Sequence, residues 1–355
     1  MIERLTRLVL LVAFLASLAA SVWSVTQIWS NPVLVPLREA TVDEITASVD
    51  RALALEATPA VVAERISDRL SEAPHNWVAI DALVALADDR AIEIPREITE
   101  DIEQARSEDY SATALASDCV RCIVDISECS LSAALVCKGP ILLTPIEDLR
   151  GLGQAAFDAY EGDEVDRIDL GLSVLGLSAT ALSIPSGGTS LSVKAGASAA
   201  KLARGLKLMS PRLTEMADTG LRAGVDWAKL PAVRSPDDLA KVLRADALAP
   251  LTATLGDLGR SVDVIGPSAT LHLLPLVDDA RDARTLARLA ESIGPRVTGA
   301  AEVLGKSRLF RAALRITDVT LGLFAGVAGL ILSVTSALAS FVNSAVLRRV
   351  RQLSR

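Results

Sequence analysis

Residues 8–28 and 319–347 are both apolar and free of charge, one near each end of the chain, and each is long enough to cross a bilayer as a helix. A hydrocarbon core of ~30 Å takes ~20 helical residues, and lipid offers backbone groups no partners. Two such segments would hold everything between them at a membrane surface. Arg4 and Arg7 precede the first segment, and Trp23 and Trp29 lie near its far end. Basic residues before a span and indole rings after it suit a cytoplasmic N-terminus. The alternative is a cleaved signal peptide with apolar core 8–16 and Ser17-Leu18-Ala19 as its cleavage site. The apolar run continues well past that site, which favours an uncleaved anchor, and both readings export the residues from Asn31 onward.

The second segment is flanked by Lys306, Arg308, Arg311 and Arg315 before it and by Arg348, Arg349, Arg351 and Arg355 after it. Basic residues therefore do not orient it, and the C-terminus returns inside by alternation. Gly322 and Gly326 form a GxxxG pair, and Gly329, Ser333 and Ala337 continue the row of small residues. Where lipid removes the hydrophobic drive, close backbone approach matters more. The row could pack on Ala13, Ser17, Ala20 and Ser24 of the first span or on a second copy, although small residues are common in any membrane helix. The expected setting is the bacterial inner membrane, with the bulk of the chain in the periplasm. An excess of arginine over lysine adds a compositional hint. The expected partners are the lipid bilayer and a protein partner or homo-oligomer through the membrane helices. No nucleic acid partner is expected of a chain with net charge −8.

Aromatic residues make up only 3% of the chain, and small aliphatic residues dominate it. That composition suits helix packing and argues against a β-sandwich. The expected fold is all-α: two terminal transmembrane helices flanking a multi-helical, disulfide-bearing extracytoplasmic body with a central helical hairpin. The divisions run 1–30 (anchor or signal peptide), 31–110 (acidic α-hairpin domain), 111–150 (cysteine segment), 151–210 (hairpin), 211–315 (helical domain) and 316–355 (second span and basic tail).

Four helices are expected over 41–106. Thr41 and Glu44 form a capping box, followed by the stripe Val42, Ile45, Val49 and Leu53. Thr58-Pro59 starts the second helix, with Val62, Ile66 and Leu70 on its inner side. Trp77, Ile80, Val84 and Ala87 line the third, and Pro95 opens an acidic fourth. The acidic surface reads as a solvated face, or as a docking site for a basic partner. Cys119, Cys122, Cys129 and Cys137 are an even set in an exported segment, which points to two disulfides of unspecified pairing. A redox pair of Cys119 and Cys122, or a metal site, is the alternative. No βαβ context surrounds the CxxC, however, and no histidine lies near it in sequence.

Residues 168–209 read as a hairpin broken by Pro185-Ser186-Gly187-Gly188. In its second arm Leu191, Ala195, Leu202, Leu206 and Met209 form the apolar side, and Lys194, Lys201, Arg204 and Lys207 the basic side. It is either the buried centre of the body or a membrane-surface hairpin that presents the four cations to anionic headgroups. Farther on, Ser235-Pro236-Asp237-Asp238 starts a helix, and Gly266-Pro267 and Gly294-Pro295 are stops. Between those stops Leu276, Ala280, Ala283, Leu286, Leu289, Ala290 and Ile293 mark one amphipathic helix with a partly self-paired charged face.

Residues 300–307 satisfy a loosened P-loop pattern, but their interior prefers helix and carries Glu302 where phosphate would sit. Ser198 and Lys201 match SxxK without its companion motifs. His75 reads as a surface or cap residue and His272 as helix surface. No catalytic set, cofactor site or metal site is expected. The expected function is a non-enzymatic scaffold or interaction protein. The alternatives are a membrane-active, toxin-like protein that inserts the 168–209 hairpin, and a periplasmic thiol-disulfide protein using Cys119 and Cys122.

Overall fold

The computed structural model describes residues 35–142, 165–182, 189–230, 233, 238 and 241–313. Both terminal apolar segments lie outside the described residues, and with them Gly322, Gly326, Gly329, Ser333 and Ala337. So do the 185–188 break and most of the helix start expected at 235–238. No helix among the described residues is long and apolar enough to cross a membrane. The described chain is helical with two disulfides, and its only bridge outside helices joins Val225 to Leu243.

The first helix, α1 (Val35–Glu56), runs straight through Thr41, so the capping box expected there does not start it. Ile45, Val49 and Leu53 are nonetheless buried on one side, while Val42 is exposed. α2 (Pro59–Leu70) begins as its sequence suggests: Val61 N–H donates to the Thr58 hydroxyl and proline takes the first turn. α3 (Trp77–Asp89) is capped by Asn76 and buries Trp77, Ile80, Leu83 and Leu86. α4 (Arg96–Asp109) is acidic and buries only Ile102 among its residues. α5 (Ala112–Val124) and α6 (Leu131–Leu142) form a hairpin around a 3-10 turn at Ile126–Glu128.

α7 (Arg167–Leu182) and α8 (Thr189–Gly205) pack on each other, and α9 (Pro211–Gly224) comes next. α10 (Ala245–Leu273) is the central pillar, in contact with α8, α9, α6 and α3. Gly266 breaks it with φ +80°, a conformation that L side chains rarely adopt, and Pro267 restarts the helix. The expected stop is therefore a kink. A 3-10 turn (Leu274–Leu276) then separates α10 from α11 (Ala280–Ile293), so Leu276 does not belong to the long helix assigned to it. α11 ends at Gly294, and the helix over 296–313, α12, returns against α3, where Gly299 sits beside the Ala82 carbonyl.

The larger apolar core draws on α1 to α6 and α8 to α12. A smaller one joins α7, α8, α9 and the first half of α10. The segments divided as 31–110 and 211–315 thus contribute to one core. α8 reaches the pillar most closely. A Cβ on Gly196 would lie 1.8 Å from the Leu255 carbonyl oxygen, and one on Gly259 would lie 1.7 Å from that of Ser192.

Candidate functional site

Five groups meet in a polar network at the C-terminal end of α2. Arg69 holds Glu302 with two bonds, Nε to Oε2 at 2.9 Å and Nη2 to Oε1 at 3.1 Å, while its Nη1 reaches Glu72 at 2.6 Å. His272 Nε2 lies 2.7 Å from Glu302 Oε1, and its Nδ1 lies 3.1 Å from Asn76 Nδ2. Burial alone would push the Glu302 carboxyl up. The bonds and charges of His272 and Arg69 prevail and hold it below the usual carboxylate range. The His272 side chain is only 9% exposed and is committed at both nitrogens, which corrects its reading as helix surface. A ring with no free nitrogen is a structural staple between α3, α10 and α12, and cannot activate a nucleophile.

Glu302 also settles the 300–307 pattern. The segment lies in α12, its carboxylate is buried and bonded, and Lys306 Nζ sits between Asp278 at 2.5 Å and Asp282 at 2.6 Å. The lysine that a phosphate would need is already neutralised. Part of the charged face of α11 pairs outward, Asp282 to Lys306 and Arg284 to Asp257.

Above the network opens a groove of about 520 Å³, a volume typical of small-molecule pockets. α3 supplies Trp77, Asp81, Ala85 and Leu86; α6 supplies Ser132, Leu135 and Val136; the kink of α10 supplies Ile265, Ser268 and Ala269. Tyr110, Pro295, Arg296 and Thr298 complete it. Its walls are mainly apolar. Arg106 lies 4.5 Å over the Trp77 ring and also pairs with Asp81. Tyr110 stacks tilted against Trp77 at 6.0 Å. Burial, then the Asp81 carboxylate, pushes the Tyr110 phenol up, against the opposing charge of Arg106. Arg296 is shared between Asp50 at 2.6 Å and Asp89 at 3.1 Å. Thr298 is buried, and its hydroxyl has no hydrogen-bond partner among the described residues.

The wall from α6 is stapled. Cys119 bonds Cys137 and Cys122 bonds Cys129. Cys119 and Cys122 therefore belong to different bridges, and the CxxC pair expected of a thiol-exchange site does not form. No group of residues able to hold a metal occurs among the described residues.

The four cations proposed for a membrane surface are not all exposed. Lys194 is buried, Lys207 is exposed beyond the end of α8, and Arg204 is bonded to Asp166 at 2.7 Å. Lys201 is half-buried, and Ser198 of the SxxK pair is buried. Leu191, placed on the apolar side from sequence, is exposed. Ala195 and Leu202 of the same side are buried and Leu206 and Met209 pack against the core, while Gly196 brings α8 backbone to backbone with α10. Sequence reasoning missed Arg69, Glu302, Asp81, Arg106, Tyr110 and Arg296, since each partner lies far away along the chain. No protein-family model, curated protein or solved structure matches the chain.

Proposed function

We propose that the chain is a non-enzymatic interaction protein anchored in the bacterial inner membrane, whose helical body presents the groove between α3, α6 and α10 to a partner. The observation that carries this reading is the pairing of an open apolar groove with ionisable groups already consumed by one another. Glu302, His272, Lys306 and Arg296 each answer to a partner within the fold. A catalytic group would need a free nitrogen or oxygen facing the space where substrate sits. The groove instead offers Trp77, Leu135, Val136 and Ile265, the kind of surface that gains by covering. The inserted-hairpin reading draws less support because α8 is packed into the pillar, and thiol exchange draws less because the CxxC pair is split between two bridges.

The test places a photo-crosslinking residue at Val136, an exposed position on the groove wall, and a control at Leu55, which is 80% exposed on α1. The full chain is irradiated in its own membranes. A discrete adduct from 136 and none from 55, suppressed when Ala85→Trp fills the groove, is the expected result. Equal labelling at both sites, or turnover of a substrate by the full chain, overturns the reading.

A further inference from the structure

The chain has two histidines, and their partners demand opposite things of them. The Asn76 side-chain oxygen accepts the Ala79 N–H at 3.3 Å, so its nitrogen faces His272 Nδ1 as a donor. His272 Nδ1 must then accept, while Nε2 donates to Glu302. One proton satisfies that ring. His75 has no such arrangement. Its Nδ1 lies 2.9 Å from Asp109 Oδ2, and its Nε2 lies 3.0 Å from the Leu70 carbonyl oxygen. A carbonyl can only accept, and Asp109 Oδ2 already accepts the Trp77 indole N–H at 2.8 Å. With a single ring proton, one His75 nitrogen would face an oxygen lone pair to lone pair.

We propose that His75 is an imidazolium clasp that ties the C-terminal end of α2 to the C-terminal end of α4, and that losing one proton as pH rises opens this corner beside the groove. Leu70 ends α2, where free carbonyls favour a cation. The charged neighbours agree. Asp109 of α4 faces the ring directly, and Asp118 of α5, which lines the same small cavity, is paired with Arg121. Arg69 and Glu72 at the end of α2 are held with Glu302, and Arg106 of α4 lies over Trp77 bound to Asp81 of α3. From α10, His272 reaches this corner only through Asn76. α6 lines the small cavity with Ser130, Ser132, Ala133 and Val136 and adds no charge there. Asp109 links the clasp to Trp77, a wall of the groove, so release of His75 loosens that wall. The clasp does not depend on what the groove binds.

The experiment labels the histidine rings of the full chain with ¹⁵N in a membrane mimetic and follows both from about pH 5 to 8, the range in which histidine side chains change charge. His75→Gln and His272→Gln each leave one ring and assign the pair. The expected result is that His75 carries two ring protons at the acid end while His272 is a single Nε2–H tautomer. Amide exchange near Leu70 and Asp109, corrected for its intrinsic base dependence, should accelerate severalfold as His75 loses its proton. In His75→Gln it should be fast throughout. A single-proton His75 ring at the acid end overturns the proposal, as does corrected exchange that ignores pH.

Discussion

At the scale of single residues, Glu302 carries the largest electrostatic consequence. Its side chain is only 6% exposed and is held below the usual carboxylate range. A depressed carboxyl contributes stability above its unfolded value, near 4.5, and that contribution disappears as pH falls through the lower folded value. Acid unfolding of the wild type should therefore steepen below the ordinary glutamate range. Glu302→Gln should flatten that part of a chemical-denaturation series measured against pH. At neutral pH the same variant should lose about 3 kcal/mol, because Arg69 is left beside a group that no longer balances it. Lys306 runs the other way. Burial alone would lower it, but Asp278 and Asp282 raise it, so its contribution is complete below 10.5 and is lost as pH climbs through the raised folded value. Lys306→Met should blunt the loss of stability at the alkaline end of the same series. The partners of these groups could not be read from sequence. Arg69 and Glu302 are 233 residues apart, and nothing in their local windows distinguishes them from surface charges.

At the scale of helices, local chemistry and most buried stripes were legible and the close backbone contacts were not. The Thr58-Pro59 start, the third helix with Trp77, Ile80 and Ala87 inward, and the buried stripe Ile45, Val49 and Leu53 follow from capping and 3.6-residue periodicity. The close approach of α8 to α10 escaped because its decisive residue, Gly196, has no side chain to score in an apolar pattern. That contact makes a sharp prediction. Gly196→Ala or Gly259→Ala would drive a Cβ into backbone carbonyl, which no rotamer can relieve, and should cost roughly 3 kcal/mol or prevent folding. Gly256→Ala is the control. Its Cβ would meet only Val193 Cγ2 at 3.7 Å, so thermal melts should show no loss and up to ~1 kcal/mol of gain from helix propensity. The α5–α6 hairpin is stabilised differently. Its Cys119–Cys137 bridge closes 18 residues, and replacing both cysteines by serine should cost about 3 kcal/mol in denaturation under oxidising conditions.

At the scale of the whole molecule, the all-α class and the presence of disulfides were readable from composition, cysteine parity and the apolar ends. The pairing of the bridges was not, since four cysteines allow three pairings and only the meeting of α5 with α6 selects one. Compartment and fold are physically coupled here. Cytosolic reductants tend to keep thiols free, so the two bridges fit the extracytoplasmic placement proposed for the body. If the body sits outside the cytoplasm, protease added to intact spheroplasts should cut the exposed acidic helix α4 at Arg96, whose side chain is 91% exposed. A tag after Arg355 should survive until the membrane is broken. Chain trapped with a thiol-blocking reagent during lysis should carry no blocked cysteine. A protected body with four blocked cysteines would place α5 and α6 in a reducing compartment. It would remove the staple from the groove and withdraw the membrane-anchored reading with it.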